Sequence, residues 1–326
     1  MNILYILGNG FDKAMGMATS YPEFYKYLKE NVKNGSSLFN KMMSQITSDT
    51  ALWSDMELAL GNFTDSTNDS EEFDDFYFEL SEHLQQYLTR ENDKFIPIKD
   101  HKSKFIVDFT KFERYLAPLD KGKFNNILNE LSLSSAKDTS VINFNYTNTL
   151  EKVLEVENNL VAKYLGNNTS LEDIIHVHGI LGQSIIVGVD NESQIKNVDF
   201  KKNEDLKDCL IKIQSNNVMK ETRHLRCSKL IDRSNLIILF GVSLGDTDSC
   251  WWEKIGKNFV KRKDILIIQH IYNPDVVYPT QMQKRGRFER KQQDFILDKM
   301  KVTEESRTPE LRNRLFFTIN EPIFKL

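Results

Sequence analysis

Cysteine is scarce in this 326-residue chain, which contains only Cys209, Cys227 and Cys250. These residues are far apart and form no CxxC pair, which argues against a disulfide framework and against a cysteine-based zinc site. The sequence also lacks HExxH, a helical pattern typical of zinc sites. We therefore expect no bound metal and no adaptation to an oxidising compartment.

Long apolar segments and a strong net charge are absent as well. No apolar run approaches the length of a bilayer span, and the first residues lack the basic region and small-residue cleavage site of a secretory signal. The 43 Lys and Arg residues nearly balance 47 Asp and Glu residues, which gives no overall attraction to nucleic acid or anionic membranes. A local basic cluster at residues 284–291 is interrupted by Glu289 and favours a solvated helix face. We expect a soluble, cytoplasmic protein that does not bind membranes.

The chain begins with an apolar segment that runs directly into glycines, MNILYILGNGFDKAMGM. Asn2–Leu7 predict a buried strand. Gly8, Asn9 and Gly10 predict a loop directly after this strand, and a further glycine stands at Gly16. Glycines in this position let the backbone approach a diphosphate, while the next helix directs its amides at the charge. The spacing differs from the GxGxxG of dinucleotide dehydrogenases, and glycines after a strand also serve in ordinary turns. Nucleotide binding and a plain turn both remain open on this segment alone.

Apolar segments further along the chain predict strands, with amphipathic segments between them. The strands are expected at residues 2–7, 141–145, 174–178, 185–189, 236–240, 265–270 and 315–319. Most are apolar on both faces and alternate with helical segments, a pattern typical of a parallel sheet covered on both sides. Helical periodicity dominates residues 36–135. We predict an α/β fold: a Rossmann-like, mostly parallel sheet in residues 1–35 and 136–326, with a large helical insertion in residues 36–135.

Polar residues follow four of the predicted strands. Because ligands of an open parallel sheet bind beyond the carboxyl ends of its strands, these residues would meet in one pocket. Taken singly, Asn145, Thr147, Ser243 and Asp246 are also explained as caps of the next helix. The four groups are Gly8, Asn9, Gly10 and Asp12; Asn143, Asn145, Tyr146 and Thr147; His176, His178 and Gly179; and Gly241, Ser243, Asp246 and Asp248.

The two histidines of the sequence HVHG are the best candidates for proton transfer. As strand residues, His176 and His178 would lie on the same face and could touch one ligand. A hydrogen-bonded structural role is the ordinary explanation for a histidine near a strand end. Gly179 favours a functional role for His178, because a glycine leaves room for a ligand or a neighbouring backbone.

The chain resembles the bacteriophage abortive infection protein AbiH family in five segments that occur in order over nearly its whole length: LGNGFDKAMGMATSYPEF, LWSDMELALGNF, VINFNYTNTLE, HVHG and LFGVSLGDTD. The same segments resemble, more distantly, the sirtuin-type NAD-binding fold. Gly8, Gly10 and Gly16 reproduce the glycine spacing of the sirtuin nucleotide loop. Asn145 takes the place of the asparagine near the nicotinamide ribose.

The sirtuin resemblance extends to the catalytic and adenosine-binding positions, with departures that change the expected reaction. His178 and Gly179 match the pair that supplies the catalytic base, and Gly241 and Ser243 match residues that meet the adenosine half. The paired CxxC motifs of the sirtuin zinc module are absent, which makes protein deacetylation improbable. The remaining departures from the sirtuin pattern are Asn143 and Thr147, which replace the threonine and aspartate of the TxNxD motif, and Asp12, which replaces a serine.

The resemblance implies a phage-defence protein that hydrolyses NAD at the bond between nicotinamide and ribose. In this hypothesis His178 is the base, Asn145 orients the ribose or the attacking water, and Asp12 stabilises the developing cation. The expected NAD-binding residues are Gly8, Asn9, Gly10, Gly16, Thr147, His176, Gly179, Gly241 and Ser243.

Two other functions are compatible with the sequence. The same pocket would serve a catalytically inactive module that senses NAD or a related nucleotide, with Thr147 marking lost catalysis. A nuclease is less well supported, because Asp246 and Asp248 are explained equally well as caps. The sequence leaves open whether NAD is hydrolysed or only bound, which phage-derived trigger acts on the protein, and whether the chain forms a homo-oligomer.

Overall fold

The computed structural model describes residues 1–131, 133, 135–156, 162–273 and 282–324. Within these ranges the chain forms seven strands: β1 (Asn2–Leu7), β2 (Lys137–Asn143), β3 (Lys163–Gly166), β4 (Thr169–His176), β5 (Leu236–Phe240), β6 (Leu266–Ile271) and β7 (Leu315–Ile319). The α-helices in the same ranges are α1 (Asn9–Ala14), α2 (Tyr21–Asn31), α3 (Ser37–Ser48), α4 (Met56–Phe63), α5 (Ser70–Lys94), α6 (Lys99–Thr110), α7 (Pro118–Glu130), α8 (Thr149–Leu154), α9 (Glu204–Leu210), α10 (Lys212–Val218), α11 (Arg223–Arg233), α12 (Ser249–Lys261), α13 (Met282–Lys299) and α14 (Pro309–Arg312).

All seven strands belong to one sheet with the order β3-β4-β2-β1-β5-β6-β7. Every neighbouring pair is parallel except β3 and β4. The register places Leu7 of β1 beside Asn143 of β2 and Phe240 of β5, and Asn143 beside His176 of β4. The mostly parallel α/β fold predicted from the sequence is confirmed, and the carboxyl ends of four strands meet at one edge.

Helices cover both faces of the sheet because its central strands are apolar on both sides. In β1, Leu4 and Ile6 belong to a core with Trp252 and Phe259 of α12. The alternate residues Ile3, Tyr5 and Leu7 face a second core that includes Phe105 and Phe109 of α6 and Phe124 of α7. This alternation is the two-residue side-chain period of a strand, and it anchors β1 rigidly beneath the loop that follows it.

The helices between residues 36 and 135 divide between two cores. Helices α3, α4 and α5 pack against α2 and against buried residues between positions 187 and 211. In contrast, α6 and α7 pack directly on the sheet, where the rings of Tyr5 and Phe109 stack with centroids 4.2 Å apart. The division of the chain into a nucleotide-binding domain and a helical insertion remains a prediction.

Two strand assignments from the sequence need correction. The strand predicted at residues 185–189 is wrong: among the described residues this segment pairs with no strand, and one isolated bridge joins Val189 to Ile211. Its apolar side chains Ile186 and Val187 are buried by packing, which gives an apolar pattern without a strand. The sequence interpretation also missed β3, a strand of four residues at the sheet edge.

Two features bear on binding to nucleic acids and membranes: a basic cluster and the length and apolar character of the helices. The basic cluster at residues 284–291 lies within α13, where Arg285 Nε donates to Glu289 Oε1 at 2.8 Å. In the part of the chain that the structure describes, no helix combines the length and apolar character needed to cross a membrane.

Candidate functional site

A cleft of about 540 Å³ lies beyond the carboxyl ends of the central strands. It brings together residues from all four polar strand exits, as expected for an open parallel sheet. Helical segments close the other side through Tyr21, Asp55 and Glu57. The predicted site residues that line the cleft are Gly8, Asn9, Asp12, Asn145, Thr147, His178, Gly241 and Ser243, whereas Gly10, Gly16, His176 and Gly179 do not line it.

The glycines of the first loop serve close packing between two loops. The amide of Gly8 donates to Phe240 O at 3.0 Å, and the amide of Gly10 donates to Gly241 O at 2.9 Å. A Cβ atom on Gly10 would lie 2.5 Å from Cα of Gly241, and Gly241 has a φ of +68°. Because these two amides are already bonded, a phosphate at this loop must use other donors.

Asp12 is buried beneath the cleft at the start of α1. Thr147 Oγ1 donates to Asp12 Oδ2 at 2.7 Å, and Thr149 Oγ1 donates to Thr147 Oγ1 at 3.0 Å. The other carboxyl oxygen, Oδ1, is enclosed and finds no hydrogen-bond partner among the residues that the structure describes. Burial raises the pKa of Asp12 to about 6, although the Thr147 hydrogen bond acts in the opposite direction. The group therefore exchanges its proton close to neutral pH.

The raised pKa of Asp12 predicts a pH-dependent gain in stability for Asp12→Asn. The stability contributed by protonated Asp12 is fully present below the ordinary pKa of 3.8 and is lost as the pH rises through 6. Asparagine mimics the neutral form and keeps an acceptor for Thr147. We expect the variant to raise the free energy of unfolding by about 3 kcal/mol at pH 8 and by little at pH 4. Denaturant titrations at both values measure this difference, and equal gains at both would contradict it.

His176 is held on both sides by hydrogen bonds within the protein. Its Nδ1 lies 2.8 Å from Asn145 O and its Nε2 lies 2.8 Å from Glu151 Oε1. Both partners are acceptors, so the ring carries a proton on each nitrogen. Burial alone would lower the pKa of His176, but the hydrogen bond and charge of Glu151 outweigh burial and raise it. His176 thus fixes the backbone at Asn145.

Asn145 connects the first and second strand exits. Its backbone amide donates to Asn143 Oδ1 at 3.0 Å, and its Nδ2 donates to Gly8 O at 3.1 Å. Neither Asn145 nor Thr147 caps α8, because the cap residue is Asn148 and no side chain accepts a capping hydrogen bond there. The capping explanation therefore does not account for these two residues.

His178 lies in a turn beyond the end of β4, so the strand alternation that would pair it with His176 no longer applies. The turn requires Gly179, which has a φ of +88° and whose Cβ would collide with the carbonyl of Ser184. His178 Nε2 lies 2.9 Å from Asp248 Oδ1, the separation of an ion pair. The ring N–H is not aligned with that oxygen, so the contact is close but is not a linear hydrogen bond.

Lys212 completes a charge cluster that the sequence interpretation missed. Its Nζ donates to Glu57 Oε2 at 2.7 Å, to Asp248 Oδ1 at 2.9 Å and to Thr247 O at 3.0 Å. Glu57 and Lys212 are 155 positions apart and each is more than nine-tenths buried. No local motif links residues so distant in sequence; the chain offers only an isolated lysine at the start of α10.

The charges of this cluster act on one another strongly. Burial alone would lower the pKa of Lys212, but Asp248 and Glu57 raise it above its ordinary value. Burial opposes ionisation of Asp248, but the charges of Lys212 and His178 hold its pKa well below the usual range. For Glu57 burial dominates, and its pKa is raised despite Lys212. Of the two carboxyl groups, Glu57 is the one that takes up a proton more readily.

Acidic side chains dominate the charged lining of the cleft. The lysine that lines it, Lys299, has its Nζ 2.7 Å from Asp246 Oδ1 and is neutralised by that carboxylate. A low-dielectric cleft with this lining stabilises positive charge in a ligand. The carboxylates at its wall are Asp12, Asp55, Glu57, Asp246 and Asp248.

The residues that the structure describes contain no group of three or more His, Cys, Asp or Glu side chains arranged to hold a metal ion. Within the same ranges Cys209, Cys227 and Cys250 are free thiols.

The fold and the cleft define a Rossmann-like α/β protein with a buried histidine and acidic side chains at the carboxyl edge of its sheet. Comparison with protein families matches residues 4–270 to the family described as bacteriophage abortive infection AbiH. The chain belongs to this family, which confirms the resemblance to AbiH proteins and supports a role in bacteriophage abortive infection. No curated protein shows significant sequence similarity to the chain. The sirtuin likeness remains a prediction from the motifs.

Proposed function

We propose that this AbiH-family protein acts in phage defence by hydrolysing NAD at the bond between nicotinamide and ribose. The observation that carries the proposal is the buried contact between His178 and Asp248 at the wall of the cleft, with Nε2 and Oδ1 2.9 Å apart. A histidine paired with a carboxylate is a general base whose protonated form is stabilised. Its place beyond the carboxyl ends of the strands is where Rossmann-like sheets bind nucleotides.

The acidic lining suits the charge changes of this reaction. The nicotinamide of NAD carries a positive charge, and breaking its bond to ribose moves that charge onto the sugar. The carboxylate of Asp12 would attract the ring and stabilise the sugar cation, while water loses a proton to His178. The products are ADP-ribose, nicotinamide and one proton.

The same lining limits where the diphosphate of NAD can lie. Negative phosphates are repelled by the carboxylates near His178, and the amides of Gly8 and Gly10 are already bonded. We therefore place the nicotinamide beside His178 and Asp12, and the adenosine half toward Gly241 and the exposed Ser243. In this orientation the diphosphate crosses the cleft between the first loop and the loop after β5.

Incubation of the purified chain with NAD tests the proposal, with release of free nicotinamide measured by chromatography. We expect nicotinamide from NAD and none from NADH, because the reduced ring carries no positive charge and is a poor leaving group. NADH is therefore a substrate control of nearly the same shape.

The outcome also separates the two hypotheses for the cleft. Binding of NAD in calorimetry without nicotinamide release would replace hydrolysis by the nucleotide-sensing function. Absence of both binding and release, including in extracts of phage-infected cells that supply a trigger, would refute the proposal.

A further inference from the structure

Asp248 occupies a special position between a permanent cation and the proposed base. Its Oδ1 lies 2.9 Å from Lys212 Nζ on one side and 2.9 Å from His178 Nε2 on the other. Lys212 in turn is fixed by Glu57 and by the carbonyl oxygen of Thr247. The carboxylate of Asp248 is therefore held in place by groups that do not themselves contact the imidazole in an ion pair.

This contact decides which nitrogen of the neutral imidazole carries the proton. An ionised carboxylate has only acceptor atoms, and a bare ring nitrogen is also an acceptor. The two atoms lie 2.9 Å apart, where two acceptors would repel, so the proton is on Nε2 even though its N–H is not aligned with Oδ1. Nδ1 then carries the lone pair that accepts a proton.

The cluster beside the ring carries a net negative charge. Two carboxylates, Glu57 and Asp248, surround the single ammonium of Lys212, which leaves one negative charge in excess. A proton taken up by the neighbouring imidazole neutralises this excess. Replacing the carboxylate of Asp248 removes it, while Glu57 continues to balance Lys212.

We infer that Asp248 is the positioning residue of the site: anchored by Lys212, it holds the proton on Nε2 of His178, makes Nδ1 the basic atom and stabilises the imidazolium that forms. The inference rests on the proposed function. In the step, the oxygen of water forms a bond to the ribose carbon and gives its proton to Nδ1. The bond from that carbon to nicotinamide breaks, and its electron pair neutralises the ring nitrogen.

Chemical rescue of Asp248→Ala by formate tests this role. A second cavity of about 200 Å³ is lined by Asp248, Lys212 and His178 and gives a small carboxylate a place beside the deleted one. We expect kcat for nicotinamide release to fall about a hundredfold to ten-thousandfold with KM nearly unchanged. Formate should then restore kcat at least tenfold. Asp248→Asn should lose a similar factor without rescue, because its amide fills the space and carries no charge.

Asp190→Ala is the matched control. Asp190 also lines the second cavity, but it accepts a hydrogen bond from Ser249 Oγ at 2.6 Å, whereas the carboxylate paired with His178 is that of Asp248. Its variant should keep kcat within threefold and show no increase in rate with formate. Retention of full kcat by Asp248→Asn, or no rescue of Asp248→Ala, would overturn the inference.

A second measurement works even if NAD is not the substrate. Formate should raise the Tm of Asp248→Ala, because in the folded state it binds between the ammonium of Lys212 and the ring N–H of His178, and should not raise the Tm of Asp248→Asn. Absence of nicotinamide release by the unmodified chain would refute the proposed function alone. Absence of a formate effect on the Tm of Asp248→Ala would refute the placement of a carboxylate between Lys212 and His178.

Discussion

His178→Ala should reduce nicotinamide release roughly a hundredfold to ten-thousandfold and abolish protection against phage, while the protein remains folded. The side chain contacts Asp248 by charge and the ring of Phe144 by its edge, with centroids 5.2 Å apart. After the substitution Asp248 keeps its ion pair with Lys212, so no buried carboxylate is left without a cation. Nicotinamide assays and plaque counts measure function, and denaturant unfolding measures stability.

His176→Gln is the natural comparison, since the two histidines are separated by one residue. Both ring nitrogens of His176 are bonded, and the substitution leaves the carboxylate of Glu151 buried without its cation. Removing one partner of a buried ion pair destabilises a protein by about 3–5 kcal/mol, so this variant should lose stability first. A folded His178→Ala protein that still releases nicotinamide and protects cells would contradict the assignment of the base.

Gly10→Ala should destabilise the fold by about 3 kcal/mol whether or not any nucleotide is present. The added Cβ would lie 2.5 Å from Cα of Gly241, and backbone on both sides must move to accommodate it. The shift would separate the loops after β1 and β5, which together form one wall of the cleft. Denaturant unfolding in the absence of ligand measures this effect.

Gly122→Ala is the control for the substitution itself. Gly122 lies within α7, and a Cβ there meets no atom within 4 Å. Alanine in a helix interior is favoured over glycine, so a gain of roughly 0.5–1 kcal/mol is expected. If Gly10→Ala unfolds like the unmodified chain and only ligand binding changes, the glycine serves ligand approach and the packing explanation is incorrect.

The sheet could be predicted because its central strands carry their signal locally. Apolar residues on both faces of β1 and β5 require cover on both sides, and this requirement is visible without knowing the partners. Residues 185–189 are equally apolar, yet their burial comes from helices α4 and α5, so the pattern indicates burial and not the type of structure. The edge strand β3 has only four residues, too few to show a periodic pattern, and it is recognised by its antiparallel pairing with β4.

The candidate site divides in the same way. The sequence alone determined that polar residues follow the carboxyl ends of four strands. Because parallel strands have their carboxyl ends at the same edge of the sheet, these residues lie at one edge. It did not determine which charges meet. The tertiary structure decided that His176 is bound by Glu151 while His178 faces Asp248, and that Lys212 joins Asp248 to Glu57. Electrostatic contacts act between side chains whatever their separation along the chain, so only the packing of helices from distant segments fixes them.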